Sequence, residues 1–94
     1  MGKRRTVHVR TSGRVQGVGF RYWVHSTSRQ LGLSGWVRNR LDGTVEAVFQ
    51  GDCVSVSDML RRCKSGPTTA RVENVDVLGA PDGRYDSFEF YPTQ

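Results

Sequence analysis

The sequence predicts an α+β fold, a ferredoxin-like split βαβ sandwich with an antiparallel sheet and two helices on one face. Three observations predict it. Apolar residues alternate with period two in a series of short runs, the signal of half-buried strands, and recur at helical spacing in two others. The order of these runs is β-α-β-β-α-β followed by one extra strand, which is the split βαβ order. An Asp42-Gly43 turn joins the second and third strands as a hairpin.

Residues 1 to 5 read as a solvated basic tail. From Thr6 to Ser12, Val7, Val9 and Thr11 fall on one side of a strand, with His8 and Arg10 on the other. Residues 13 to 21 link that strand to a helix over Phe20 to Leu31. Its apolar stripe is Phe20, Trp23, Val24, Thr27 and Leu31, so Trp23 reads as core, and Gly32 is its C-cap. Leu33 to Arg40 form a second strand with Leu33, Gly35, Val37 and Asn39 on one face. Thr44 to Gln50 return as the third, alternating at Val45, Ala47 and Phe49. Gly51-Asp52 breaks it. Asp52 or Ser55 then caps a second helix carrying Val56, Met59, Leu60 and Cys63. Arg61, Arg62 and Lys64 favour the negative end of its dipole, and Gly66-Pro67 closes it. Val72, Val75, Val77 and Leu78 mark a fourth strand. Its phase slips between Val72 and Val75, which predicts a bulge or a late start. After the Pro81-Asp-Gly83 turn, a last strand spans Tyr85 to Tyr91, with Phe88 and Phe90 alternating, and Pro92 ends it.

A chain of 94 residues is expected to form one domain, 1-94, with a small core. The net charge of +5 suits an anionic partner: a phosphate-bearing metabolite, a nucleic acid or an acidic surface. The basic N-terminus has no apolar run behind it, so neither a signal peptide nor a membrane span is expected. Met1-Gly2 with Thr6 meets the loose myristoylation pattern, but Thr6 already belongs to a strand. Cys53 and Cys63, if on one helix, stand about 15 Å apart by rise. Disulfide reach is roughly 7 Å between Cα atoms. With His8 and His25 they match no zinc spacing. Idle thiols in a reducing cytosol are expected.

The stretch between the first strand and the first helix is the chemical centre of the chain. It reads Gly13-Arg-Val-Gln-Gly-Val-Gly-Phe-Arg21. Glycines let backbone N–H groups converge without Cβ clashes, and a helix N-terminus adds free donors and a positive dipole end. Arg21 stands where loop and helix meet, with a planar fork suited to a phosphate. No Gly-Lys-Ser/Thr follows, so this is not a Walker A loop. Tyr22 stands where the dinucleotide fingerprint needs its third glycine. An anion cradle and a plain turn both stay open at this point.

A second stretch narrows the choice. Gly35-Trp-Val-Arg-Asn39 is followed after three residues by Gly43-Thr-Val45, and after five more by Gly51. The pair, Gly-x-Val-Gln-Gly-Val-x-Phe-Arg and Gly-Trp-Val-x-Asn-x3-Gly-x-Val-x5-Gly, resembles the acylphosphatase family over nearly the whole chain. The resemblance implies the same split βαβ fold and a hydrolase that cleaves acyl phosphates to a carboxylate and inorganic phosphate. It implies that Arg21 is the substrate-binding arginine and that Asn39 positions the nucleophilic water. The loop backbone of Gln16, Gly17, Val18, Gly19 and Phe20 would supply phosphate-binding N–H groups. No metal, no cofactor and no covalent intermediate are implied; the partner is a small-molecule acyl phosphate, with no nucleic acid and no membrane. A cytoplasmic monomer is expected. The chain departs from the family pattern in two places: Gly19 at a variable position, and the tail Phe90-Tyr-Pro-Thr-Gln94, which leaves open whether the chain end pins the loop as in relatives.

The chemistry is consistent with so small a kit. A carboxylate leaves without a proton, so no general acid is required. The transferred phosphoryl group needs donors around its oxygens and one placed water. Bland readings stand beside these roles. Asn39 before a turn is a common turn residue, and Arg21 is a surface charge, although a first helical turn disfavours a cation. His25 and His8 read as solvated. The rival class is a nucleic-acid-binding module, since RNA-recognition domains share this topology and are often basic. Such domains carry aromatics on the two central strands. The third strand here has one aromatic and an acid, and the first has none. A regulatory copy fused in a larger hydrogenase-maturation protein is a third possibility, against which a short chain beginning at Met1 favours a free-standing enzyme.

Overall fold

In the computed structural model, which describes residues 3–94, the elements run β1 (Arg4–Arg14), α1 (Phe20–Gln30), β2 (Ser34–Asn39), β3 (Val45–Asp52), α2 (Cys53–Cys63), β4 (Arg71–Gly79) and β5 (Phe88–Phe90). The sheet order is β4-β1-β3-β2-β5. β1 lies centrally between β3 and β4, both antiparallel to it, and β2 pairs antiparallel with β3. The expected antiparallel sheet holds for these four strands. The correction is β5, which runs parallel to β2, pairing Gly35 with Phe88 and Val37 with Phe90. Two further corrections concern ends. Arg4 and Arg5 belong to β1, opposite Asp52 and Gly51, not to a tail. The last strand is shorter than Tyr85 to Tyr91, because Gln50 captures the chain before it: the side chain accepts from Tyr85 N–H at 2.9 Å and donates to the Gly83 carbonyl at 2.8 Å. Met1-Gly2, with its myristoylation pattern, lies outside the described residues. Among the described residues no helix is long and apolar enough to cross a membrane.

Both helices cover one face of the sheet, α1 against β2 and β5, α2 against β1, β3 and β4. Period-two alternation sends Val7, Val9, Val37, Val45, Ala47 and Phe49 to that face. Phe20 and Val24 of α1 and Val56, Met59 and Cys63 of α2 meet them from above, while Trp23 and Leu31 pack at the margin. Asp52 caps α2 by accepting from Val54 N–H, and Gly32 takes the left-handed conformation (φ 72°) that ends α1. The phase slip in β4 is a bulge: Ser12 faces Asn74 while Gly13 faces Val72, leaving Glu73 unpaired. A Cβ on Gly13 would lie 2.2 Å from the Arg71 carbonyl oxygen, so the bulge requires glycine there. Cys53 and Cys63 begin and end α2 as free thiols, and burial pushes the Cys63 thiol up to about 12.

The opposite face carries an ionic knot. Glu46, 6% exposed, accepts from Arg38 Nε at 2.7 Å and Arg40 NH1 at 2.9 Å, and its other oxygen pairs with His8 Nε2. Trp36 lies beside it, stacked on Tyr91 at 4.9 Å with Arg38 over its ring. His8 is therefore tied into this knot and is not the solvated residue expected.

Candidate active site

Three elements converge at one end of the sheet. β1 runs into the glycine loop, α1 begins at its exit, and the end of β2 lies alongside. Together they enclose an open cavity of about 290 Å³. The loop contributes Val15, Gly17 and Gly19, α1 contributes Phe20, Arg21 and Tyr22, and β2 contributes Asn39.

The loop's shape comes from its glycines. Gly17 (φ 73°) and Gly19 (φ 80°) are both left-handed, a conformation that L-residues rarely hold. Gly19 is the N-cap of α1 and brings no capping side chain; the first turn holds no acidic residue. The first helical hydrogen bond is Trp23 N–H to the Gly19 carbonyl at 3.0 Å. The N–H groups of residues 16 to 22 therefore find no acceptor among the described residues. They face solvent or the cavity at the positive end of a helix dipole, to which Arg21 adds a full charge.

Buried polar atoms are ordinarily paired. Among the described residues two buried side-chain atoms are not: Arg21 Nε and Asn39 Oδ1. Both belong to lining residues of this cavity. One is a donor and the other an acceptor, and each sits among anchored neighbours. The Arg21 guanidinium carbon lies 5.5 Å from the centre of the Tyr22 ring and 5.8 Å from that of Phe90. Asn39 is flanked by Arg38 and Arg40, both anchored on Glu46. Its carbonyl accepts from Gln94 N–H at 3.2 Å, and Arg40 N–H bonds the Thr44 carbonyl across the hairpin. The tail thus pins the strand that carries Asn39, while Gln94 Oε1 also accepts from Arg38.

Of the predicted loop residues, Gly17, Gly19 and Phe20 line the cavity, but the side chains of Gln16 and Val18 do not. Gln16 Nε2 donates to the carbonyls of Arg40 at 2.7 Å and Thr44 at 2.8 Å, tying the loop to the hairpin beside Asn39. Val18 packs against the core. His25, expected in solvent, stacks on Phe90 with ring centres 4.2 Å apart. Besides Val15 of the cavity floor, two residues were not singled out by sequence as part of the site. Tyr22 lines the cavity, and its position next to Arg21 was the only available signal. Thr69, beyond α2, donates its hydroxyl to the Val18 carbonyl at 2.6 Å. A peptide is planar and trans, so the Gly19 N–H points away from that carbonyl. Thr69 thereby fixes the direction of one loop donor. No local pattern marks it.

Among the described residues no three His, Cys, Asp or Glu side chains gather as metal ligands. What the cavity offers is a set of donors for an anion and one buried amide acceptor.

Known proteins are similar to this chain in sequence and in fold. The acylphosphatase family model matches residues 7–90. The acylphosphatase of Rhodospirillum rubrum is 52% identical over 80 residues, 83% of this chain and 88% of that one. Among solved structures, the acylphosphatase of Coxiella burnetii superposes with a TM-score of 0.83 at 36% identity, over 94% of this chain and 93% of its own. That of Bacillus subtilis gives 0.86 at 31% identity, over 92% and 97%. With the family model spanning most of the chain and a relative of this identity covered over 88% of its length, the chain belongs to the acylphosphatase family.

Proposed function

We propose that the protein is an acylphosphatase that hydrolyses the carboxyl-phosphate bond of small acyl phosphates. The observation that carries the reading is the pair of buried, unpartnered atoms, Arg21 Nε and Asn39 Oδ1, on one cavity beneath a row of free N–H groups. The loop N–H groups of residues 16 to 20 and the Arg21 fork hold the phosphoryl oxygens, where charge is spread in a loose transition state. Asn39 Oδ1 accepts a hydrogen bond from the attacking water and orients it. The water oxygen bonds to phosphorus as the bond to the acyl oxygen breaks. The carboxylate leaves with that electron pair, and both water protons end on the phosphate. A stable carboxylate needs neither a general acid nor a Lewis acid, so the reaction is metal-independent.

The chain works as one acylphosphatase-like domain, a monomer, and the free thiols Cys53 and Cys63 support a cytoplasmic setting. A nucleic-acid role is disfavoured by the open sheet face. Trp36 is stacked on Tyr91, and Arg38 is paired with Glu46, so ring and charge are already engaged.

The test compares an aromatic acyl phosphate with a phosphate monoester, each with EDTA present. Hydrolysis of the first alone, inhibited competitively by inorganic phosphate and weakened by salt, is expected. A large loss with EDTA that Mg²⁺ or Zn²⁺ restores would sink the mechanism. Tight, sequence-selective RNA binding would instead favour the rival module.

A further inference from the structure

The phosphate end of the substrate is accounted for by the loop, Arg21 and Asn39; the acyl end is not. We propose that Tyr22, backed by Phe90, receives the acyl substituent and gives the enzyme a preference for aryl over small alkyl acyl phosphates. This rests on the functional reading above and extends the same site.

Elimination within the cavity leads to Tyr22. Val15 and Phe20, each 1% exposed, are its buried floor. The glycines bring no side chain, and Arg21 and Asn39 present polar atoms. Tyr22 is 65% exposed, so it alone among the lining residues raises a large apolar surface from the cavity to solvent. The substituent of an acyl phosphate begins one oxygen and one carbonyl carbon from phosphorus, so it must leave the cradle close to this ring.

The ring does not stand alone. Phe90, 42% exposed, lies 5.2 Å from it at an interplanar angle of 59°. His25 stacks on Phe90 at 7°, and Arg21 sits beside both rings. The result is a propped aromatic corner at the mouth of an anion site. A flat acyl group can pack against it with little ordering cost, because the partners are already placed. An acetyl group has no face to offer.

Steady-state kinetics with benzoyl phosphate and acetyl phosphate, on wild type and Tyr22→Leu, test the proposal. Leu keeps apolar bulk and removes the ring, and so exposed a position tolerates it. The ratio of kcat/KM for benzoyl over acetyl phosphate should fall roughly two- to tenfold, the worth of one aromatic pair. The change should lie in KM for benzoyl phosphate, since stacking is equal in ground and transition states. Tyr22→Phe should keep the ratio, and Phe90→Leu should lower it less. An unchanged ratio in Tyr22→Leu overturns the proposal. So does a parallel loss on both substrates with weaker inhibition by inorganic phosphate, which would mean that the ring only steadies Arg21. A wild type that hydrolyses neither compound overturns the functional reading itself and this inference with it, an outcome visible before any variant is made.

Discussion

Replacing Arg21 with lysine keeps the charge and removes the planar fork together with Nε. That atom is the one the protein buries without a partner. If it and the terminal nitrogens grip two phosphoryl oxygens, an ammonium on a flexible stem cannot reproduce the grip. Losing one preorganised donor of this kind costs about 2.7–4 kcal/mol. At about 1.36 kcal/mol per tenfold, kcat/KM should drop by roughly 10²–10³. Affinity for inorganic phosphate should weaken too, because the ground-state anion already carries the recognised charge. Stability should respond differently. Nε makes no protein hydrogen bond, so none is lost with it. The contacts to the Tyr22 and Phe90 rings, at 5.5 and 5.8 Å, are of a kind an ammonium can partly keep. Each is worth about 0.5–1 kcal/mol at an exposed site. Lysine should therefore fold within about 1 kcal/mol of wild type, a Tm shift of no more than about 4–8 °C. The assay is steady-state hydrolysis and phosphate inhibition, with a urea melt beside them. A folded Arg21→Lys enzyme with near-wild-type kinetics would show that charge alone suffices. A stability loss as large as the kinetic one would make Arg21 a structural residue.

Asn39→Ala should slow kcat by about 10²-fold, the scale of a misplaced reactant, while inorganic phosphate still inhibits; an equal loss of phosphate affinity would move Asn39 from water placement to binding. Thr69→Val frees the Val18 carbonyl and with it the Gly19 N–H, so phosphate inhibition should weaken about tenfold for the worth of one hydrogen bond. Thr69→Ser should restore it, and no change in Thr69→Val would detach this hydroxyl from the site. Burial alone would raise the Glu46 carboxyl, but hydrogen bonds from Arg38, His8 and Arg40 outweigh it and hold the group below its ordinary value of 4.5. A depressed folded pKa gives stability that is complete above the unfolded value and is lost as pH falls through the folded one. Urea midpoints should therefore drop as pH is lowered below 4.5, and Glu46→Gln should lose part of that slope; an identical slope in the two proteins would refute the assignment.

Much of this was legible in the chain itself. Alternation at Val7, Val9 and Thr11, and at Val45, Ala47 and Phe49, reports one buried face, because a strand has only two sides. Parity placed Asn39 on the same face as Val37, which is the face under α1. The slip between Val72 and Val75 marked the bulge, since an extra residue must break a period of two. What escaped were contacts between distant segments that no period encodes. Gln16 reaching the Arg40 carbonyl, Thr69 reaching Val18 and Gln50 holding Tyr85 each join segments more than twenty residues apart. The direction of β5 escaped for the same reason: three residues, Phe88 to Phe90, show the same alternation in either sense, and Gln50 holds the segment that leads into them.

Cys63 gives the molecule a native clock for its own opening. Its thiol is sealed under α2, 1% exposed and scarcely ionised near neutral pH, so a thiol reagent reaches it only when the helix lifts from the sheet. Cys53, partly exposed at the other end of α2, reacts without that event and serves as the reference. The rate at which the second thiol is trapped, read against the first by mass, reports how often the core opens, with no engineered probe. If the glycine loop holds phosphate as proposed, saturating phosphate should slow that trapping, because Phe20 roots the loop in the same core that covers Cys63.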